Sequence, residues 1–104
     1  MAFSKPSTLA AGQLPAAAAD LYTPAALTAA YVKAIRLANR SGATRTITIY
    51  KEVAAADYVI ANVTLLTGEF AEINDVIVGD GETIRGVADA ATSVDYMIEG
   101  VVES

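Results

Sequence analysis

Cysteine, histidine and tryptophan are all absent from this chain of 104 residues. The first absence excludes a disulfide framework, a thiolate metal centre and a cysteine nucleophile. The second removes the side chain that most often acts as general acid or base. Positive charge is scarce as well, with seven Lys and Arg against twelve Asp and Glu and a net charge of −5. Nucleic-acid binders engage phosphates with a basic surface, so no nucleic-acid partner is expected. No apolar run approaches the roughly 18 residues of a membrane-spanning helix, so no membrane partner is expected. A secretory leader is not indicated, because Gly12, Gln13 and Pro15 interrupt the segment before Ala16-Ala17-Ala18-Ala19.

What the chain does contain is mostly small and apolar. Apolar residues make up 54% of it, and 22 of the 104 residues are Ala. A methyl group adds far less to a core than Leu or Ile does. One domain of this length therefore leans on its few Ile, Leu, Val, Phe and Tyr, and gains from surface buried between subunits.

Residues 1–19 show no period. Ser4, Pro6, Ser7, Thr8, Gly12 and Pro15 break any regular pattern, which suggests an extended N-terminal arm. Phe3, Leu9 and Leu14 are its large apolar groups and the candidate anchors on a neighbouring subunit. Residues 20–104 form the expected domain. Within it, residues 20–40 are ambiguous. Thr23 as N-cap, Pro24 at the first helical position and Gly42 past the end favour a helix. Leu27, Tyr31, Ala34, Ile35 and Ala38 would share its apolar face. Ile35 and Leu37 equally suit one face of a strand.

From residue 43 onward the pattern is β. Ile47 and Ile49 alternate with Thr46, Thr48 and Tyr50. A second strand runs over 58–66 with Val59, Ala61, Val63 and Leu65 toward the core. Short strands follow at 69–73 and 76–78, separated by Asn74-Asp75, then a strand at 82–88. The last strand, 94–103, places Val94, Tyr96, Ile98 and Val102 on one face and Asp95, Glu99 and Glu103 on the other. Short strands about ten residues apart, with Gly-containing turns such as Gly79-Asp80-Gly81, predict an antiparallel sandwich or barrel.

No chemistry stands out. Asp75, Asp80 and Glu82 lack the closely spaced carboxylates of a calcium loop, and there is no phosphate-binding glycine motif. Ser4 and Lys5 are a formal nucleophile–base pair, but both lie in the arm. Asp95, Glu99 and Glu103 read as a solvated strand face rather than as a glycosidase pair. No catalytic, cofactor-binding or metal-binding residue is therefore assigned. Tyr22, Tyr31 and Tyr50 are assigned to an interface, where a large ring with a polar tip suits partial burial.

Several segments together resemble one family. They are Leu21-Tyr22-Thr23-Pro24-Ala25, Ile35-Arg36-Leu37-Ala38-Asn39, Ser41-Gly42-Ala43-Thr44-Arg45-Thr46-Ile47-Thr48-Ile49-Tyr50, Gly81-Glu82-Thr83-Ile84-Arg85 and Val94-Asp95-Tyr96-Met97-Ile98-Glu99-Gly100-Val101. Their order and spacing over residues 20–103 resemble small virion proteins of tailed bacteriophages. The resemblance implies an all-β chain, a small jelly-roll-like antiparallel β-sandwich without enzyme activity. It also implies a strand over about 29–39, paired as a hairpin with the strand of Ile47 and Ile49 through a turn at 39–42. Residues 25–30 depart from the family's β-branched pattern there.

The expected role is structural, in a virion. Capsid decoration or cementing leads, a neck, collar, tail or baseplate position comes next, and a receptor- or glycan-binding module is the alternative of a different class. The expected partners are other copies of the chain (a homo-oligomer, with a trimer as one arrangement) and the major capsid or other virion proteins.

Overall fold

The computed structural model describes residues 6–103. Eight strands account for the regular structure, and no helix occurs among the described residues. They are β1 (Ser7–Gln13), β2 (Ala19–Tyr22), β3 (Ala29–Asn39), β4 (Arg45–Val53), β5 (Ala56–Leu65), β6 (Phe70–Val78), β7 (Thr83–Ala88) and β8 (Val94–Glu103). Two four-stranded antiparallel sheets result, ordered β1-β8-β3-β6 and β2-β7-β4-β5. The all-β sandwich is thus the fold, and its strand order is that of a jelly roll, two interleaved Greek keys.

The inward faces meet in a single core. Val32, Ile35 and Leu37 of β3, Ile47 and Ile49 of β4, Ile84 of β7, and Val94 and Ile98 of β8 are buried together. Burial of each such side chain contributes about 1.5–3 kcal/mol. Gly100 lets β8 lie close to β3, since a Cβ there would fall 2.9 Å from the Val32 Cα and closer still to the Tyr31 carbonyl.

Several expectations need correction. The leader is not an arm over its whole length: β1 pairs with β8, from Ser7 opposite Gly100 to Gln13 opposite Asp95. Leu14, expected as an interface anchor, is fully buried in the chain's own core. Its backbone N–H donates to the Val94 carbonyl at 2.9 Å. Phe3 lies outside the described residues.

The expected hairpin between β3 and β4 does not form. β3 pairs with β6 and β8, whereas β4 pairs with β5 and β7, so residues 40–44 carry the chain from one sheet to the other. Asn39 explains why this segment is not a tight turn. Its side chain is buried and reaches across the chain's path. Its amide donates to the Ala43 and Leu65 carbonyls at 2.8 and 2.9 Å, and its Oδ1 accepts from the Ser41 N–H at 3.0 Å and the Ser41 hydroxyl at 2.7 Å.

Two further differences come from backbone irregularities. Residues 69–78 are not two short strands, because β6 absorbs Asp75 in the left-handed region (φ 63°) and continues. In β5 the register shifts at Ile60, so Ile60 packs against the core and Val59 points to solvent.

Replacing Asn39 by Ala strands the buried Leu65 carbonyl and removes the bonds to Ser41 and Ala43 at once. It should lower unfolding free energy by about 2–4 kcal/mol in urea titrations. Gly100→Ala forces two central strands apart and should cost on the order of 3 kcal/mol in the same assay.

Candidate functional site

The two ends of the sandwich are built differently. At one end the loops 40–44, 66–69 and 89–93 bond to one another. Asn39 N–H donates to the Glu69 carbonyl at 3.0 Å, Gly68 N–H to the Asn39 carbonyl at 2.9 Å, and Arg40 N–H to the Ser93 carbonyl at 3.1 Å. At the other end lie the loop 23–28, the two-residue Ala54-Ala55 turn and the loop 79–82. Backbone bonds close two of these loops on themselves, from Thr28 N–H to the Ala25 carbonyl and from Glu82 N–H to the Gly79 carbonyl, both at 3.1 Å. Side chains tie them together: Asp80 accepts from the Leu27 N–H at 3.0 Å, and Lys51 pairs with Glu82 at 3.1 Å.

That bonding settles the Gly79-Asp80-Gly81-Glu82 segment. Glu82 Oε1 accepts from the Gly79 N–H at 2.8 Å as well as facing Lys51, so it closes the turn, while Asp80 accepts from Leu27 of the neighbouring loop. Among the described residues no group of three or more Asp and Glu is placed to hold a metal ion.

The two outer sheet faces also differ. On β2-β7-β4-β5 the face is organised around a charge cluster, with Val59 of the edge strand exposed beside Tyr50. Arg85 bonds to Asp20 at 2.9 Å, to Asp57 at 2.7 Å and to the Ala18 carbonyl at 3.2 Å, spanning the sheet. Tyr50 lies opposite Arg85 in the ladder and is half-buried there. On β1-β8-β3-β6 the outer face carries two apolar depressions with a charged centre between them. One, of about 520 Å³, is lined by Phe70, Ala38, Met97 and neighbouring residues, with Arg36 and Asp95 among its walls. The other, of about 330 Å³, lies against Tyr31, Ile77 and Val101. In the centre Arg36 bonds to Glu99 at 2.7 Å and faces Glu72 at 3.5 Å. Phe70 is 81% exposed and Ile77 65%, although both lie within a strand. Exposed apolar patches such as these two mark interaction sites.

The sequence-derived candidates divide on this geometry. Tyr31 stands on the apolar face, its hydroxyl donating to Asp75, and that bond raises its pKa. Leu9 and Tyr22 are partly buried against the core, and burial raises the Tyr22 pKa. Tyr50 belongs to the Arg85 face. Tyr31 is therefore the one assigned residue, among those described, that sits with Phe70, Met97 and Ile77. Those three were not singled out by sequence. The signal for Phe70 was its phase: with Ala71 and Ile73 turned inward, Phe70 and Glu72 must point outward.

A scan against protein-family models found no match, and neither the curated proteins nor the solved structures gave one.

The Glu82 carboxylate is held below its ordinary range, first by the Gly79 N–H and then by Lys51. A depressed carboxylate contributes stability that is complete above its unfolded value and is lost as pH falls through the folded one. Glu82→Gln should therefore narrow the stability gap to the parent as pH drops below about 4. Thermal melts of both chains across pH 2.5–7 check this, and a constant gap refutes it.

Proposed function

We propose that the chain is a non-enzymatic structural protein of a tailed-phage virion, acting by decorating or cementing the capsid. The observation that carries the reading is the outer face of β1-β8-β3-β6. It displays Phe70, Met97, Tyr31 and Ile77 to solvent around an Arg36–Glu99 pair. Such a face has little use in an isolated domain and a direct one in an assembly, where covering it removes apolar area from water. The virion setting rests on the order and spacing of the phage-like segments over residues 20–103. The jelly-roll strand order agrees with what that resemblance implies.

The mechanism follows from mass action. Each copy that docks binds the folded, assembled state and not the unfolded chain, so docking stabilises both the copy and its support. Apolar contact at the two depressions supplies area, and the charged centre fixes the register of docking.

Particles produced by the strain that encodes this chain, purified and digested, should yield its peptides at a stoichiometry of many copies per particle. A cryo-EM map of the same particles should show a jelly roll on the capsid with the Phe70 face turned inward to its support. Particles lacking the chain overturn the reading. A chain found only at the neck or tail moves its place and keeps the structural role. Phe70→Glu should leave the domain folded and reduce its occupancy on particles at least tenfold.

A further inference from the structure

Among the described residues the two sheets end in four edge strands, β1 and β6 on one and β2 and β5 on the other. An edge presents unpaired backbone N–H and C=O groups, and proteins guard it with short length, Lys, Pro, inward charge or a break in the strand. β2 has four residues and β1 seven. β6 carries Glu72 and Asp75, and Asp75 interrupts its extended path at φ 63°. β5 is the longest of the four at ten residues and contains no Lys or Pro. Its one charge, Asp57, is held by Arg85 of its own sheet at 2.7 Å. Tyr58 and Val59 on the same strand are 59% and 60% exposed.

The register shift at Ile60 gives this edge a pattern of its own. Ala56 closes the two-residue Ala54-Ala55 turn opposite Val53. In the alternating ladder Ala56 and Tyr58 then bond toward β4, while Asp57 and Val59 turn their backbone groups outward. The extra residue resets the alternation. Ile60, Ala61 and Val63 pack on the core side, and Asn62 and Thr64, with exposed side chains, turn their backbone groups outward. The outward positions are therefore 57, 59, 62 and 64. A regular extended peptide repeats every second residue and would keep step with only one half of that row. The row reads the same from both ends, so a second β5 laid antiparallel keeps step throughout. Asp57 meets Thr64, Val59 meets Asn62, and Tyr58 meets Val63 of the other copy. On a chain of net charge −5, this register sets no acid of one strand against an acid of the other. We infer that two copies join through β5 about a two-fold axis, so that the β2-β7-β4-β5 sheet runs on into that of its mate. The contact is isologous and closes at two copies. The axis stands perpendicular to the joined sheet, so the Phe70 faces of both copies point the same way. The pairing does not rest on the virion setting and goes beyond it, setting docked copies side by side.

The chain has no cysteine, so introduced cysteines report the register directly. Tyr58→Cys and Val63→Cys are made as separate chains. Positions 58 and 63 of one strand lie roughly 15 Å apart, too far for a disulfide. Across the joined strands they form a non-hydrogen-bonded pair, the closer kind. Under mild oxidation an equimolar mixture should give crosslinked heterodimers at least tenfold in excess of the homodimers that either chain gives alone. In sedimentation velocity the parent should reach twice the 10.7 kDa of the monomer. Asn62→Pro and Thr64→Pro each remove one outward N–H, and whichever of them melts cooperatively should stay monomeric. Homodimers of Val63→Cys as abundant as the heterodimers overturn the inference, as does a proline variant that associates like the parent. A parent chain that is monomeric at millimolar concentration, yet present on particles, overturns the inference and leaves the virion reading standing. A chain that pairs through β5 but is missing from particles does the reverse.

Discussion

The buried side chain of Asn39 is the constraint on which the architecture at one end of the sandwich depends. A polar group without water must find partners among its neighbours. Asn39 finds them in Ser41 and Ala43 of the loop before β4 and in Leu65 at the end of β5. Its backbone meanwhile bonds to Glu69 and Gly68. One residue thus fixes where β3 stops, how the chain crosses between sheets, and where β6 begins. With that end locked, the opposite loops are held mainly by pairwise contacts such as Leu27 to Asp80 and Lys51 to Glu82.

The same logic distributes polarity over the surface. Arg85 gathers Asp20 and Asp57 across the β2-β7-β4-β5 sheet, so that face satisfies its own charges. On the other sheet Arg36 is drawn to Glu99 and Glu72 in the middle, and the apolar side chains fall to either side. Cross-strand pairing decides this: Tyr31 is brought opposite Ile77 and Val101, and Ala38 opposite Phe70. The apolar face is a product of register, assembled from strands far apart in the chain.

That origin explains what could be read beforehand. β4 and β8 alternate plainly, and Ile47, Ile49, Val94 and Ile98 are in the core as their phase requires. β3 was harder, because the register shift at Lys33 places two inward residues, Val32 and Ile35, three positions apart. Local rules meanwhile favour a helix over residues 20–40, through Thr23-Pro24 at its start, Gly42 past its end and the Leu27, Tyr31, Ala34, Ile35 and Ala38 face. A bulge at Ile60 likewise inverted the phase of Val59. β1 gives no strand pattern, because an edge strand of Ser, Thr, Ala and Gly needs few large apolar residues to pair. Of the exposed face, Tyr31 was legible as a residue type suited to interfaces. Phe70, Met97 and Ile77 were not, since their company depends on which strands lie side by side.

The pairing of β1 with β8 has a temporal consequence. Ser7 lies opposite Gly100, so β1 cannot find its ladder until β8 has been made. Leu14 faces the same delay, because its backbone partner is Val94. During synthesis the leader is an unpaired strand and the nascent core lacks a wall. Folding of this domain is therefore a closing event that waits for β8, and long-range closure of this kind is slow relative to local hairpin formation. In a cell making many copies at once, nascent chains with open sheets coexist at high local concentration, and exchange of β1 between neighbours competes with its return to its own β8.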